Sequence, residues 1–371
     1  MEETSLRVYQ KGEILNINKN DNKSKTKKVY LEILRVIACL LVVLIHTASK
    51  YEGADYINTS DFWIGTFFCE ITRLAVPLFV MISGSLLLDK NYNYSKRKLI
   101  KHIKRLVIFF LFWSVIYSIV HHILIPVVMH HEAFSIKDFT LAILEGHYHM
   151  WFMYMIIGLY LIIPLLRLWV KEKNIKYIRY FILLSLIFNC ILPHLINIGK
   201  IYNENFNSFQ NIVDDINLKY VCGFTTYFIL GWYFNNYDVK HKKTLYFLGI
   251  LSIFILIIER GIITTTTNNY YNEYKNLMPT ILIYTSAVFV FVKDKFKNTN
   301  KENKIIKKIS ENSLGIYAIH PLMLTIFSKI LFDKVRVNAF INIGVLYSIA
   351  LSFSFIITSI LKKIPILKKI V

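Results

Sequence analysis

The sequence predicts an all-α integral membrane protein, a bundle of about ten transmembrane helices with both termini in the cytoplasm. Three observations favour this class. Of the 371 residues, 55% are hydrophobic and only 18% are charged, which is too apolar for an ordinary soluble domain of this length. The apolar residues gather into segments of about 20, enough to cross a bilayer. Lysine and arginine fall in short runs between those segments, as they do in the cytoplasmic loops of membrane proteins.

Ten apolar segments have the length expected of helices that cross about 30 Å of hydrocarbon. If the N-terminus is inside, the termini and loops assigned to the cytoplasm hold 32 of the 44 lysine and arginine residues. The outer loops are instead acidic and polar, and Glu52 is placed in the first of them. This asymmetry predicts ten crossings with both ends inside. The predicted spans are 29–49, 62–88, 106–128, 149–169, 177–199, 218–235, 244–262, 278–293, 312–332 and 338–361.

The chain divides into a polar tail, a membrane domain and a basic end. Residues 1–28 precede an apolar run as long as a bilayer is thick, so they are interpreted as a cytoplasmic tail rather than a cleaved signal peptide. Residues 29–361 form the membrane domain and 362–371 a basic cytoplasmic C-terminus. The net charge of +20 is explained by lysine-rich membrane surfaces and not by nucleic-acid binding. The four cysteines lie in apolar segments without metal-ligand spacing, so neither disulfides nor a metal are expected.

Two ionisable side chains, Arg35 and His46, lie inside the first predicted span. Such groups cost at least a few kcal/mol where they face lipid, so they are functional candidates. They are eleven residues apart, and at 100° per residue they share a helix face but lie about 16 Å apart along the axis. Arg35 is predicted near the cytoplasmic end and His46 near the outer end, where an imidazole suits acid–base chemistry. An interfacial anchor and a water-satisfied helix end are the simpler interpretations.

Small polar residues are also predicted at the depth of Arg35 in the membrane, near its cytoplasmic side. The Ser83-Gly84 step of the second predicted span allows close helix approach or room for a ligand. His320 is predicted about eight residues deep in the ninth span, near the level of Arg35. Arg73 falls about halfway through the second span, where a partner or a wet cavity is most needed. A purely structural ion pair is the alternative for this arginine.

The outer depth, that of His46, gathers titratable side chains from the start of the fourth predicted span. Glu145, His147, His149 and Trp151 all fall there. This combination of imidazoles and a carboxylate is typical of acid–base chemistry. Other charged and histidine residues are interpreted as anchors or surface residues: Arg167, Glu259, Arg260, His102, His121, His122, His130, His131, His194 and His241.

Four motifs, in order, resemble the acyltransferase type 3 family of membrane proteins. They are "LEILRVIACLLVVLIHT" from residue 31, "RLAVPLFVMISG" from 73, "HMWFMY" from 149 and "SLGIYAIHPL" from 313. The resemblance covers about residues 29–361. It implies a multi-pass protein of a bacterial cell membrane that transfers an acyl group, usually acetyl from acetyl-CoA, to a hydroxyl of an extracytoplasmic or lipid-linked surface glycan. Some members carry a fused esterase-like domain or an amino-acid racemase domain, and neither is expected here.

The two depths and the resemblance combine into one hypothesis. Acyl-CoA binds the basic inner surface and extends its pantetheine arm toward His46, which acts as general base or carries the acyl group covalently. No metal takes part, lipid surrounds the protein, and a homo-oligomer stays open. The residues assigned to the chemistry are His46, Arg73, His149 and Glu145. The residues assigned to the donor are Arg35, Ser83, Gly84, His320 and Trp151.

A membrane transporter or flippase for a small polar solute or a polysaccharide is the alternative, because the same buried charges would line a translocation path. The uptake domain of racemase-fused relatives is one such case. Inverted repeats and broken helices would favour transport, and the sequence shows no evident repeat. A scaffold protein, the third possibility, would make the buried polar residues dispensable.

Overall fold

Within the part of the chain that the structure describes, eight helical segments are long and apolar enough to cross a membrane, which confirms the predicted class of all-α membrane protein. The computed structural model describes residues 28–124, 135–267, 276–299, 303–332, 338–365 and 367–369, and these contain no β-strand. The eight segments are Val29–Glu52, Ser60–Leu87, Lys96–Leu124, Ile136–Trp169, Glu172–Tyr202, Lys242–Thr267, Lys304–Leu331 and Ala339–Leu361.

The α-helices of the described part are numbered in chain order. They are α1 Val29–Ala48, α2 Ser60–Thr72, α3 Ala75–Leu87, α4 Lys96–Ile119, α5 Ile136–Glu145, α6 Trp151–Trp169, α7 Ile175–Ser185, α8 Leu192–Tyr202, α9 Phe206–Asp215, α10 Leu218–Cys222, α11 Thr225–Asn236, α12 Lys242–Thr267, α13 Pro279–Phe296, α14 Lys304–Phe332 and α15 Ala339–Leu361. The predicted spans 218–235 and 278–293 correspond to α10 with α11, and to α13. Neither is among the eight: α11 has only 12 residues, and α13 ends in a charged turn.

The second predicted span is divided into two helices, and the fourth is preceded by a helix that lies outside its predicted bounds. The second span breaks between α2 and α3 at Arg73 and Leu74, because Pro77 lacks the N–H that would bond to the carbonyl of residue 73. The fourth span begins earlier than predicted, at α5. It turns at Gly146, whose φ of 74° favours glycine, before the short turn Tyr148–Met150 leads into α6.

Helix α1 lies at the centre of the bundle. It packs against α2, α3, α13, α14 and α15. Fully buried side chains such as Leu34 on α1, Leu78 on α3 and Phe289 on α13 form the main hydrophobic core. The face of α1 that carries Arg35 and His46 therefore lies among other helices and not wholly against lipid.

Charged side chains connect the predicted cytoplasmic ends of the helices through hydrogen bonds and ion pairs. Lys28 Nζ lies 2.7 Å from Asp89 Oδ2 and 3.0 Å from Asn235 Oδ1. Burial alone raises the pKa of Asp89, but hydrogen bonds from Lys28 and the Asn91 backbone outweigh it, so this pKa lies below its ordinary value. Arg167, predicted as an anchor, donates to the backbone carbonyl of Leu87 at the end of α3. The start of α1 is thus held to the ends of α3 and α11.

Gly84 and Gly231 let α3 and α11 touch backbone to backbone. A Cβ at Gly84 would lie 1.8 Å from the carbonyl oxygen of Phe228, and one at Gly231 would lie 1.9 Å from that of Met81. Gly84 is therefore occupied by helix packing and does not line the cavity described below. Close helix approach, one of the two roles considered for Gly84, is therefore observed, whereas its assignment to the donor stays a prediction that the cavity lining does not support.

Substitution of Gly84 by alanine is expected to lower the free energy of unfolding by about 1–3 kcal/mol, because the added methyl group forces two backbones apart. Thermal unfolding of purified protein in detergent measures this. The matched control is Gly158→Ala on α6, where no heavy atom lies within 4 Å of the added Cβ. That change should be neutral or slightly stabilising, since alanine is the better helix former. Equal melting temperatures for the two variants would contradict the packing role.

Candidate functional site

Three imidazoles converge at the outer end of the bundle, as that end is assigned from the charged loops. His46 comes from α1, His149 from the turn before α6, and His320 from α14. The ring centroids of His46 and His320 are 5.2 Å apart, those of His149 and His320 5.7 Å, and those of His46 and His149 6.5 Å. His149 and His320 are buried, whereas His46 is partly exposed. We call these three residues the imidazole cluster.

The depth predicted for His320 is wrong. This residue lies beside His46, not near the level of Arg35. The cause is the length of α14, which begins at Lys304 and not near residue 312. His320 is therefore sixteen residues from the helix start, about 24 Å along the axis. Its place is with the outer imidazoles, and its assignment to the inner end of the donor site fails.

Hydrogen bonds orient two of the three rings. His320 Nδ1 lies 3.0 Å from the carbonyl oxygen of Ile316, so Nδ1 carries the proton in the neutral ring and Nε2 keeps its lone pair. His149 Nδ1 lies 2.9 Å from His147 Nδ1, and the Tyr317 hydroxyl donates to the His149 carbonyl at 2.6 Å. The Nε2 atoms of His149 and His320 are buried without a hydrogen-bond partner in the described part of the chain. Such atoms favour a ligand that satisfies them.

A cavity of about 360 Å³ lies on the inner side of this cluster. Arg35 and Ser83 line it, as the donor hypothesis predicts, together with Arg105 on α4. Val42, one helical turn before His46, also lines it, and so does Tyr317, whose ring contacts His149 and His320. The cavity thus extends from two guanidinium groups to Val42 and Tyr317, next to the imidazole cluster, although none of the three imidazoles lines it. Its other lining residues include Phe79, His102, Phe152, Met153, Tyr160 and Glu311.

His102 is exposed, in line with its interpretation as a surface or loop residue, and it also lines the cavity. Tyr160 also lines the cavity and was not predicted; it lies beside Ser83 and Arg35. His102 lies in a basic stretch of helix and Tyr160 in an apolar one. Neither pattern distinguishes a polar site residue from its neighbours, so helix position alone did not single them out.

Glu145 and Trp151 do not join the other predicted site residues. Glu145 is exposed at the end of α5. Trp151 is 41% exposed and its ring packs on Phe224. Neither lines the cavity. Their predicted roles in chemistry and donor binding gain no support from this arrangement.

Arg73 belongs to a buried network of four charges. Its Nε lies 2.7 Å from Glu70 Oε2, and its guanidinium is 3.7 Å from Glu52 Oε1. Arg260 Nε lies 2.9 Å from the same Glu52 oxygen, and Arg260 Nη1 is 3.4 Å from Glu70 Oε1. Two carboxylates balance two guanidinium groups, which is the structural ion pair considered for Arg73. We call Glu52, Glu70, Arg73 and Arg260 the charge network.

The structure corrects the predicted positions of two members of the charge network. Arg260 was interpreted as a span-end anchor, but it is fully buried because α12 continues for two more turns, to Thr267. Glu52 was placed in an outer loop and is only 4% exposed, since the last turn of the first membrane segment reaches it. Glu259 lies 3.4 Å from His194, which was expected at the surface.

The residues described by the structure contain no group of three or more His, Cys, Asp or Glu that could hold a metal ion. The four cysteines are buried and free. The described site offers imidazoles beside a cavity with cationic groups at its far end.

Imidazoles at one end of such a cavity suit general acid–base chemistry in an enzyme. The family model described as Acyltransferase domain matches residues 28–361. The chain therefore belongs to this family of membrane acyltransferases. No curated protein and no solved structure matches the chain.

Proposed function

We propose that this protein is an O-acyltransferase that moves an acyl group, usually acetyl, from cytoplasmic acyl-CoA to a hydroxyl of an extracytoplasmic or lipid-linked surface glycan. One observation supports it above the others: the cavity extends from Arg35 and Arg105 to Tyr317, whose ring contacts His149 and His320 of the imidazole cluster. A donor with phosphates at one end and a thioester at the other fits such a cavity.

The inner end of the cavity suits the phosphates of coenzyme A. Arg35 and Arg105 offer charge-assisted hydrogen bonds to phosphate oxygens. Ser83 also lines this wall of the cavity. Toward the imidazole cluster the lining turns apolar at Val42 and Phe152, which suits the pantetheine arm and the acyl group. The donor thus enters from the basic side and presents its thioester near His46.

The imidazole cluster supplies the acid–base chemistry. His46 takes the proton of the acceptor hydroxyl as its oxygen attacks the thioester carbonyl, and the proton then passes to the departing sulfur, which leaves as the CoA thiol. His149 and His320 flank the reacting groups and stabilise developing charge. In the covalent variant His46 carries the acyl group between two half-reactions, and a burst of CoA release would mark it.

The proposed topology has ten crossings, with both termini in a bacterial cytoplasm. Two further crossings, α10–α11 and α13, bring the eight long segments to ten. Helices α11 and α13 are largely buried among the others. The excess of lysine and arginine on one side supports the orientation. Ten helices and this motif order also resemble the enterobacterial common antigen O-acetyltransferase.

The test uses the purified full chain in nanodiscs with radiolabelled acetyl-CoA. The wild type is expected to bind the donor and release CoA. Arg35→Gln should weaken acetyl-CoA binding about tenfold, because one charge-assisted phosphate contact is lost. The matched control is Arg179→Gln, an exposed arginine on α7. Failure of the wild type to bind acetyl-CoA, or equal affinity in both variants, would remove the cavity from the donor path.

A further inference from the structure

The ring of Tyr148 marks the place where the imidazole cluster opens outward. Its centroid lies 5.2 Å from that of His46, 4.4 Å from that of His147 and 5.6 Å from that of His149. The residue is nevertheless 57% exposed. One part of this aromatic ring therefore packs on imidazoles while another part stays accessible, directly beside His46.

A line of rings continues from Tyr148 toward the surface. His147 is half-buried and stacks on the Tyr117 ring at 4.2 Å and 13°. His121 is exposed and stacks on His147 at 5.1 Å and 25°. Exposure thus rises in order from buried His149 through His147 to His121. Within the described residues, Tyr148, His147 and His149 thus form a wall of rings beside His46.

This wall matches one chemical class of ligand. A neutral imidazole offers one hydrogen-bond donor and one acceptor, which is the pairing that a hydroxyl group needs. An aromatic face offers apolar contact at little cost in side-chain entropy. A pyranose presents an apolar C–H face and an edge of hydroxyls, so it uses both.

We propose that Tyr148 is the acceptor platform. A pyranose ring stacks on its exposed face, His147 pairs with the sugar hydroxyls, and one hydroxyl is placed at His46. This inference rests on the proposed function and names its acceptor subsite. It makes the acceptor a cyclic sugar, and it makes Tyr148 a residue that determines acceptor affinity without changing the donor site.

The simpler interpretation of an exposed tyrosine near the membrane surface is an interfacial anchor. Tyr202 provides the comparison, because it ends α8 on the side assigned as outer and is 81% exposed. An anchor role predicts equal consequences for both tyrosines. A platform role predicts an effect on acceptor affinity for Tyr148 alone.

The experiment measures acetyl transfer from radiolabelled acetyl-CoA by the full chain in nanodiscs, with methyl glucopyranoside and methyl N-acetylglucosaminide as acceptor probes. Tyr148→Ala is expected to raise the acceptor KM about tenfold, as the loss of one aromatic anchor does, with acetyl-CoA affinity unchanged. Tyr148→Trp should restore the acceptor KM, and Tyr202→Ala should leave it at the wild-type value. Sorbitol, which has hydroxyls but no ring, should be a poor acceptor in every variant.

Direct binding of the same pyranosides, followed by saturation-transfer NMR, separates the two proposals. If the wild type transfers acetyl but Tyr148→Ala keeps the wild-type KM, or if sorbitol competes equally, the platform is wrong and the acyltransferase function stands. If no transfer occurs yet pyranosides bind and Tyr148→Ala removes the signal, the platform stands and the proposed reaction falls. Absence of both transfer and binding overturns both.

Discussion

Replacement of His46 by alanine is expected to slow acetyl transfer by about 10²- to 10⁴-fold, the usual contribution of a positioned general base. Acetyl-CoA affinity should stay unchanged, because Arg35 lies about 16 Å away along α1. Single-turnover transfer of radiolabel, measured beside equilibrium binding of acetyl-CoA in the same nanodiscs, tests both halves of the prediction.

The matched control is His241→Ala, which removes an exposed imidazole from the segment between α11 and α12 and should leave transfer intact. His320→Ala identifies which imidazole accepts the proton, since its Nε2 also carries a free lone pair in the neutral ring. Full activity in His46→Ala together with loss of activity in His320→Ala would assign the base to His320. Full activity in both variants would exclude the imidazole cluster from the reaction.

Replacement of Arg260 by methionine is expected to lower the free energy of unfolding by about 3–5 kcal/mol. The substitution leaves Glu52 and Glu70 with one guanidinium between them, and an uncompensated buried charge carries a cost of this size. Denaturant or thermal unfolding in detergent, with acetyl-CoA absent, provides the measurement. The reason lies in burial, because both the Arg260 and Glu70 side chains are shielded from solvent.

Two further variants make this prediction specific. Arg179→Met removes an exposed guanidinium and should change stability by less than about 0.5 kcal/mol. The double variant Glu52→Gln with Arg260→Gln removes one charge of each sign, so it should recover part of the lost stability. An Arg260→Met protein as stable as the wild type would show that the charge network does not balance buried charge.

The helical period explains what the sequence predicts well. Arg35 and His46 are eleven positions apart, so any continuous helix places them on one face at two depths. The structure keeps both on α1, with Arg35 at the cavity and His46 in the imidazole cluster. Length and hydropathy likewise predict the all-α membrane class, because backbone groups in hydrocarbon have few other ways to be satisfied.

The sequence predicts neither where the helices begin and end nor which distant helices are in contact. The polar turns that open α14 give no hydropathy signal, so His320 was placed too close to the inner end. The contact of Glu52 with Arg260 joins residues 208 positions apart, and no local pattern reports which helices touch. One signal was available: Glu70 and Arg260 carry opposite charges inside apolar segments, and such charges pair with one another.

The contact between α3 and α11 fixes one wall of the cavity. Backbone lies against backbone at Gly84 and Gly231. No side chain lies between the two helices there that could change rotamer and let α3 shift. Ser83, the neighbouring residue, consequently holds its place on the cavity wall. Room for a bulky donor has to come from the opposite side, where α4 presents Arg105 and largely exposed side chains to the cavity mouth. In the proposed donor complex, Arg105 would thus contact the donor from the side that can adjust, and Ser83 from the side that is fixed by backbone packing.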